Sequence, residues 1–331
     1  MRVIMPSSLR PSLALICPGF TSSFGAQPLR LPALERLLAY CQAGLTLSTY
    51  STALDVWQCE LLQLLNVEPS QYPSAPLTWL GAGGVGEPGA WLHADAVKLA
   101  VTAHGLSLER VSAWDASSLA SVAALVREHL AALQMSWRSV GAQVFLHRRT
   151  PLSVHTVSTR HAACGELHEL QPHGPDAAQL RRVMTELQML LHEKLAYANA
   201  PNAIWLWGAG ELPTLPAKEL PPMWADDHYT RGVYSAHAAN KCCLPLPESL
   251  HDLLDQTAAA QLVAVVGNRD LHELEARWFA PALHALHAGR LHSVAVYLDG
   301  WQMHAQRSLL RRVFARARPF AESMQLGESV V

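Results

Sequence analysis

Apolar positions along the chain fall into two rhythms. Short continuous apolar runs closed by Gly, Pro or Asn predict strands buried on both faces, and longer stretches with an apolar residue every third or fourth position predict helices packed by one stripe. SLALIC at 12–17, closed by Pro18-Gly19, is the first such run and predicts strand one. Helical spacing follows over 34–43 (Leu34, Leu37, Leu38) and 53–65 (Leu54, Trp57, Leu61, Leu65), and Trp57 at that spacing reads as core. Val97, Leu99 and Val101 alternate with Lys98, Ala100 and Thr102, which predicts a strand with a partner over 108–114. Asp115 then caps a predicted helix over 117–135. Short strands at 144–147 and 154–157 flank Arg148-Arg149-Thr150-Pro151, a guanidinium pair able to hold an anion or simply to be solvated.

From Pro175 the rhythm alternates helix and strand. Asp176 can cap and Gln179 reach back, which starts a helix whose stripe is Val183, Leu187, Leu191 and Leu195. PNAIWLWGAG (201–210) reads as a turn, a buried strand and a Gly-containing loop at the carboxyl edge of a sheet, where open α/β sheets hold ligands. Asn202, Trp205, Trp207, Gly208 and Gly210 are therefore expected to line a pocket, with Glu186, Gln188 and His192 on the helix as supports. After a connection with four prolines (212–222) come Met223–Ala225, Asp226-Asp227 and a helix from Tyr229. A helix at 247–257, a strand at 262–266, a helix at 271–287 and a strand at 291–298 follow. That βαβ order favours parallel pairing. Arg307, Arg311, Arg312, Arg316 and Arg318 give a last helix its solvated face.

The expected fold class is α/β, with a largely parallel or mixed central sheet, helices on both faces and a few antiparallel strands. One domain over 1–331 is expected, with a small antiparallel subregion around 75–175. At 331 residues and 50% hydrophobic the chain can bury a large core. A net charge of −2 and no helix-turn-helix pattern weigh against nucleic acid as a partner and leave a small molecule or another protein. Six cysteines without a C-x-x-C are expected to be reduced thiols in a cytoplasmic protein. Leu13–Cys17 is too short for a signal-peptide core, and no apolar run reaches membrane-spanning length.

Gly81, Gly83 and Gly86 match G-x-G-x-x-G, but Pro88-Gly89 blocks the helix that a dinucleotide loop must feed, so the segment reads as a connection. His155, His161, Cys164, His168 and His173 collect soft ligands at a spacing that fits no standard zinc pattern. Asp95 is expected as a turn cap or a site residue, and Asp226 or Asp227 as a helix cap.

ELQMLLH (186–192) followed by PNAIWLWGAG resembles the bacterial RpfE-type regulatory proteins, as do 274–300 (LEARWFAPALHALHAGRLHSVAVYLDG) and His93–Val97. That family is similar in turn to the archaeal-type cofactor-independent phosphoglycerate mutases. The resemblance implies an alkaline-phosphatase-like or phosphoglycerate-mutase-like fold. In those mutases strand one ends in a metal-binding Asp, where this chain has Cys17-Pro18-Gly19. They also place phosphate-binding arginines before the Ala-Asn pair and before the Gly-x-Gly, where this chain has LAYANA and Trp207. The departures imply a regulatory or ligand-binding protein with no cofactor. The alternative is a phosphomutase or phosphatase using Mn or Zn divalent cations held by Asp95, Asp226, Asp227, His228 and His237.

Overall fold

The structure, a computed structural model, describes residues 10–21, 30–41, 45–48, 54–102, 105–110, 116–163, 167, 169–194, 201–215, 220–237, 243–257, 259–267, 269–306 and 319–320. The expected cap at Asp115, Leu195 of the helix stripe, Cys164, His168 and the arginine helix at 307–318 lie outside these residues.

Strand β1 (Ser12–Ile16), helix α1 (Pro32–Ala39), strand β2 (Thr46–Leu47), and helices α2 (Val56–Leu64) and α3 (Ser74–Gly81) come first. An antiparallel layer follows: β3 (Ala90–Thr102), β4 (Gly105–Arg110), α4 (Ala116–Ala132), β5 (Met135–Val140), β6 (Gln143–Arg148), α5 (Thr159–Ala162), α6 (Ala177–Lys194) and β7 (Ala203–Glu211). The chain then returns through β8 (Met223–Ala225), α7 (His228–Ala236), β9 (Cys243–Leu244), α8 (Leu250–Gln256) and β10 (Gln261–Val265). Helix α9 (Leu271–Leu274), a π turn (Glu275–Phe279) and α10 (Ala280–Ala288) lead to the hairpin β11 (Ser293–Leu298) and β12 (Trp301–Gln306).

The main sheet has the order β2-β12-β11-β1-β10-β8-β9. β11, β1, β10, β8 and β9 are parallel, and β12 and β2 add an antiparallel edge. This is the expected mixed α/β sheet, and period-two alternation explains its two faces. Leu13, Leu15, Leu262, Ala264, Val294 and Val296 face one core, built with α1, α8, α9 and α10. Ala14, Ile16, Val263 and Val265 face the other, built with α2 and α7. Each fully buried Leu or Val contributes about 1.5–3 kcal/mol.

The second sheet is wholly antiparallel, in the order β4-β3-β6-β5 with β7 on β3. It spans 90–211, further than 75–175, because β7 joins it. Residues 154–157 are not a strand: they contribute only the bridge His155–His173. Gly81 belongs to α3 rather than to a nucleotide loop. A Cβ there would lie 1.8 Å from the His228 carbonyl, and one at Gly232 would lie 1.7 Å from that of Leu77, so α3 and α7 cross backbone to backbone. Among the described residues no helix is long and apolar enough to cross a membrane, and Cys17, Cys41, Cys59 and Cys243 are free thiols.

Candidate functional site

The carboxyl ends of β11, β1, β10 and β8 lie side by side, the usual place for ligands in an open α/β sheet. β11 ends in the two-residue turn Asp299-Gly300, both with positive φ (50° and 102°), a primed turn that matches strand twist and feeds β12. The turn aims Asp299 at the segment leaving β1. Its Oδ1 accepts the Gly19 N–H at 2.8 Å, and its Oδ2 accepts both the N–H and the hydroxyl of Thr21 at 2.9 Å. Arg160 of α5, from the antiparallel layer, donates Nη1 to Oδ1 at 2.8 Å. Asp299 therefore ties the two sheets together.

Glu60 reaches the same turn from α2. Its Oε1 accepts the Gly300 N–H at 3.0 Å, while Oε2 is buried and has no partner among the described residues. Burial pushes its pKa up to about 8; the Gly300 bond opposes the rise and the charge of Asp299 adds to it. Glu60 is thus largely protonated at neutral pH. Burial first, then Asp299 and Glu60, also drive the Cys17 thiol well above its ordinary value, so it is not a thiolate nucleophile.

Two strands along, a cavity of about 240 Å³ is bordered by Asp226, Asp227, Leu246, Val265, Gly267 and Arg269. Asp227 caps α7 as expected, Oδ1 accepting the Thr230 N–H and Oδ2 the Thr230 hydroxyl, each at 2.7 Å. Burial raises its pKa against the pull of those two bonds. Asp226 accepts from the Leu246 N–H at 3.2 Å and from Arg231, and Arg269 pairs with Glu273 at 2.7 Å. His228 Nδ1 lies 2.6 Å from Gln143 Oε1, and partial burial followed by Arg231 lowers its pKa. His237 is buried with Nε2 2.9 Å from the Tyr72 hydroxyl.

The residues expected to line a pocket at 202–210 lie on or beside a paired strand. β7 does not end in a Gly loop; it runs on through Gly208 and Gly210 to Glu211, paired with β3. Gly208 (φ +67) lies against the start of α3, where a Cβ would come within 3.0 Å of Ser74, and Gly210 packs on Pro73. Asn202 extends the ladder: its Oδ1 accepts the Leu99 N–H at 2.7 Å and its Nδ2 donates to the Leu99 carbonyl at 2.9 Å. Trp205 is buried and donates to the Val157 carbonyl at 2.8 Å. Trp207 stacks on His93 at 4.2 Å and donates to Asp95 at 2.8 Å.

Asp95 is accordingly not a turn cap but a mid-strand residue of β3, and it also accepts from the Thr159 hydroxyl. His93 is buried with Nε2 3.0 Å from Ser74 Oγ, and burial lowers its pKa to about 4 against the pull of Asp55 and Ser74.

On α6, Glu186 binds Arg182 at 2.6 Å and lies 2.9 Å from His129 of α4, so it supports neither Asn202 nor Gly208. Gln188 is half-buried and His192 is exposed at the helix end. Asp176 and Gln179 form no capping box: Asp176 accepts the Ser153 N–H and Gln179 accepts from Arg148. His155 and His173 stack at 5.0 Å, and among the described residues no three His, Cys, Asp or Glu side chains gather as metal ligands would.

Glu60, Arg160, Thr21 and Asp299 escaped the sequence reading although two signals were present. Asp-Gly between apolar runs marks a two-residue hairpin. A lone Glu between Cys59 and Leu61 in a helix of apolar stripe is a buried acid in need of a reason.

No family model and no curated protein matches the chain. Among solved structures it is similar to the cofactor-independent phosphoglycerate mutase from Thermoplasma acidophilum DSM 1728, at 12% identity and a TM-score of 0.41, covering 96% of this chain and 100% of that one. It is also similar to the PH0037 protein from Pyrococcus horikoshii, at 11% identity and a TM-score of 0.48, covering 96% and 92% of the two chains. What the edge residues of this chain can do is decided by their own geometry.

Proposed function

We propose that the chain is a non-catalytic or catalytically altered regulatory or ligand-binding protein on a phosphoglycerate-mutase-like scaffold, as its resemblance to the RpfE-type proteins implies. The observation that carries this reading is the engagement of Asp299. A carboxylate offers about four lone-pair directions. Gly19, Thr21 twice and Arg160 fill as many, two on each oxygen.

Mn or Zn held for phosphoryl transfer needs several anionic oxygen or imidazole donors free to turn to the ion. The carboxylates at this edge are poorly placed for that need, because both oxygens of Asp299 already accept two bonds each and both oxygens of Asp227 cap α7. The cavity beside Asp226 and Arg269 suits a small polar molecule: about 240 Å³ falls just under the roughly 300–1,000 Å³ of drug-sized sites.

The alternative, a metal-dependent phosphomutase or phosphatase, draws on Asp95, Asp226, Asp227, His228 and His237, of which Asp226 and Asp227 line that cavity. The test is an assay of purified protein with 3-phosphoglycerate and added Mn²⁺, Co²⁺ or Zn²⁺, with elemental analysis alongside. No turnover above the metal blank is expected. Turnover on the order of one per second that tracks metal content and disappears in Asp226→Ala, with the thermal midpoint unchanged, would overturn the proposal.

A further inference from the structure

Away from the carboxyl edge, β5, β6 and the end of α4 enclose a second cavity of about 550 Å³, within the roughly 300–1,000 Å³ range of small-molecule sites. Its charged lining is Arg138, Arg148, Arg149 and Glu87. With histidine counted as neutral, that is an excess of two positive charges in a chain whose net charge is −2. The concentration is local and has to be explained locally.

The guanidiniums are not used up by the protein. Arg138 Nη2 lies 3.2 Å from each oxygen of Glu87, and Arg148 Nη1 donates to Gln179 Oε1 at 3.0 Å. Arg138 Nη1 and Arg148 Nη2 take no acceptor among the described residues. Arg149 is exposed, and among the described residues it takes no ion pair. A guanidinium with N–H groups to spare beside a cavity is matched best by an oxyanion, whose oxygens meet its planar fork. Arg138 and Glu87 are both more than a third exposed, so the cavity opens to water and a ligand can enter. Met135, the cross-strand partner of Arg148, and Ala131 add apolar lining.

We propose that this cavity binds a small organic dianion, with Arg138 and Arg149 holding a phosphate-monoester or paired-carboxylate group and the apolar lining receiving its body. Glu87 occupies part of the clamp in the empty state, so the ligand competes with it for Arg138. The site is separate from the cavity beside Asp226, and its failure would leave the reading of the carboxyl edge untouched.

The test is calorimetric titration of the full chain with inorganic phosphate and, separately, with succinate at constant ionic strength. Saturable binding of at least one of them is expected, weakened about tenfold or more by Arg138→Gln and by Arg149→Gln. Arg182→Gln, on the exposed face of α6, should change nothing. Glu87→Gln removes the competing carboxylate and should tighten binding, a gain that misfolding cannot produce. Tighter binding of phosphate assigns the phosphate-monoester class, and tighter binding of succinate the dicarboxylate class; either supports the dianion site. Absence of saturable heat from both up to about 10 mM, or binding unmoved by both arginine variants, would overturn it.

Discussion

Replacing Glu60 by Gln turns a buried acid into its neutral isostere and should flatten the pH dependence of stability above pH 6.5. Glu60 carries a pKa of about 8 when folded and about 4.5 when unfolded, so between those values the folded state holds a proton that the unfolded state releases. Stability must then fall as pH rises, by up to about 1.4 kcal/mol per pH unit, and the contribution is lost once pH passes the folded value. His93 acts in the opposite sense. Its folded pKa of about 4 lies below the ordinary 6.5, so the folded state refuses a proton that the unfolded state takes, and its contribution is lost as pH falls from 6.5 towards 4. The two slopes offset each other below pH 6.5.

Between pH 6.5 and 8 Glu60 dominates this pair, His93 adding only the tail of its unfolded-state titration, and the Glu60 loss comes to about 2 kcal/mol. Urea unfolding of the wild type and Glu60→Gln in matched buffers across that window measures it. The two should be similarly stable at pH 6.5 and diverge by about 2 kcal/mol at pH 8, with the variant the more stable. A flat wild-type profile, or a variant that keeps the wild-type slope, would refute the account of a buried protonated carboxyl.

Asn202→Ala strands the Leu99 N–H and carbonyl at the end of the β3–β7 ladder and should cost about 2–3 kcal/mol in urea unfolding, with Asn202→Asp intermediate because it keeps the acceptor. Asp299→Ala removes the carboxylate that accepts from Arg160 and from the Gly19 and Thr21 N–H groups and should cost about 3–5 kcal/mol, seen as a fall of several degrees in the thermal midpoint.

The strands of the parallel sheet were legible because burial on both faces leaves a mark in every residue of a run, as in SLALIC and VAVYL. The cap at Asp227 was legible because capping is a local act, complete within three residues. Gly208-Ala209-Gly210 was misread because glycine serves both loops and close approaches. What decided between them was α3, 134 residues earlier in the chain at Ser74, lying on the strand. Trp207 reads as the loss of an anion clamp from its position alone, yet its ring is held by His93 and its N–H by Asp95, both from β3. The candidate site was hardest to see, since Glu60 and Gly300 meet across 240 residues and no local pattern announces such a pair.

The bonds at the carboxyl edge also say what any ligand there must overcome. Asp299 joins the segment after β1, the β11–β12 turn and, through Arg160, the antiparallel layer, while Glu60 brings α2 to the same turn. A cation drawn to Asp299 would have to displace N–H or guanidinium donors already at hydrogen-bond distance and to release the proton that burial holds on Glu60. An anion would meet Asp299 itself lying across the Gly19 and Thr21 N–H groups, the donors best placed to receive it. Both kinds of ion are therefore opposed at Asp299 by contacts that hold the two sheets together, whereas two strands away, beside Asp226 and Arg269, a cavity is open to a ligand.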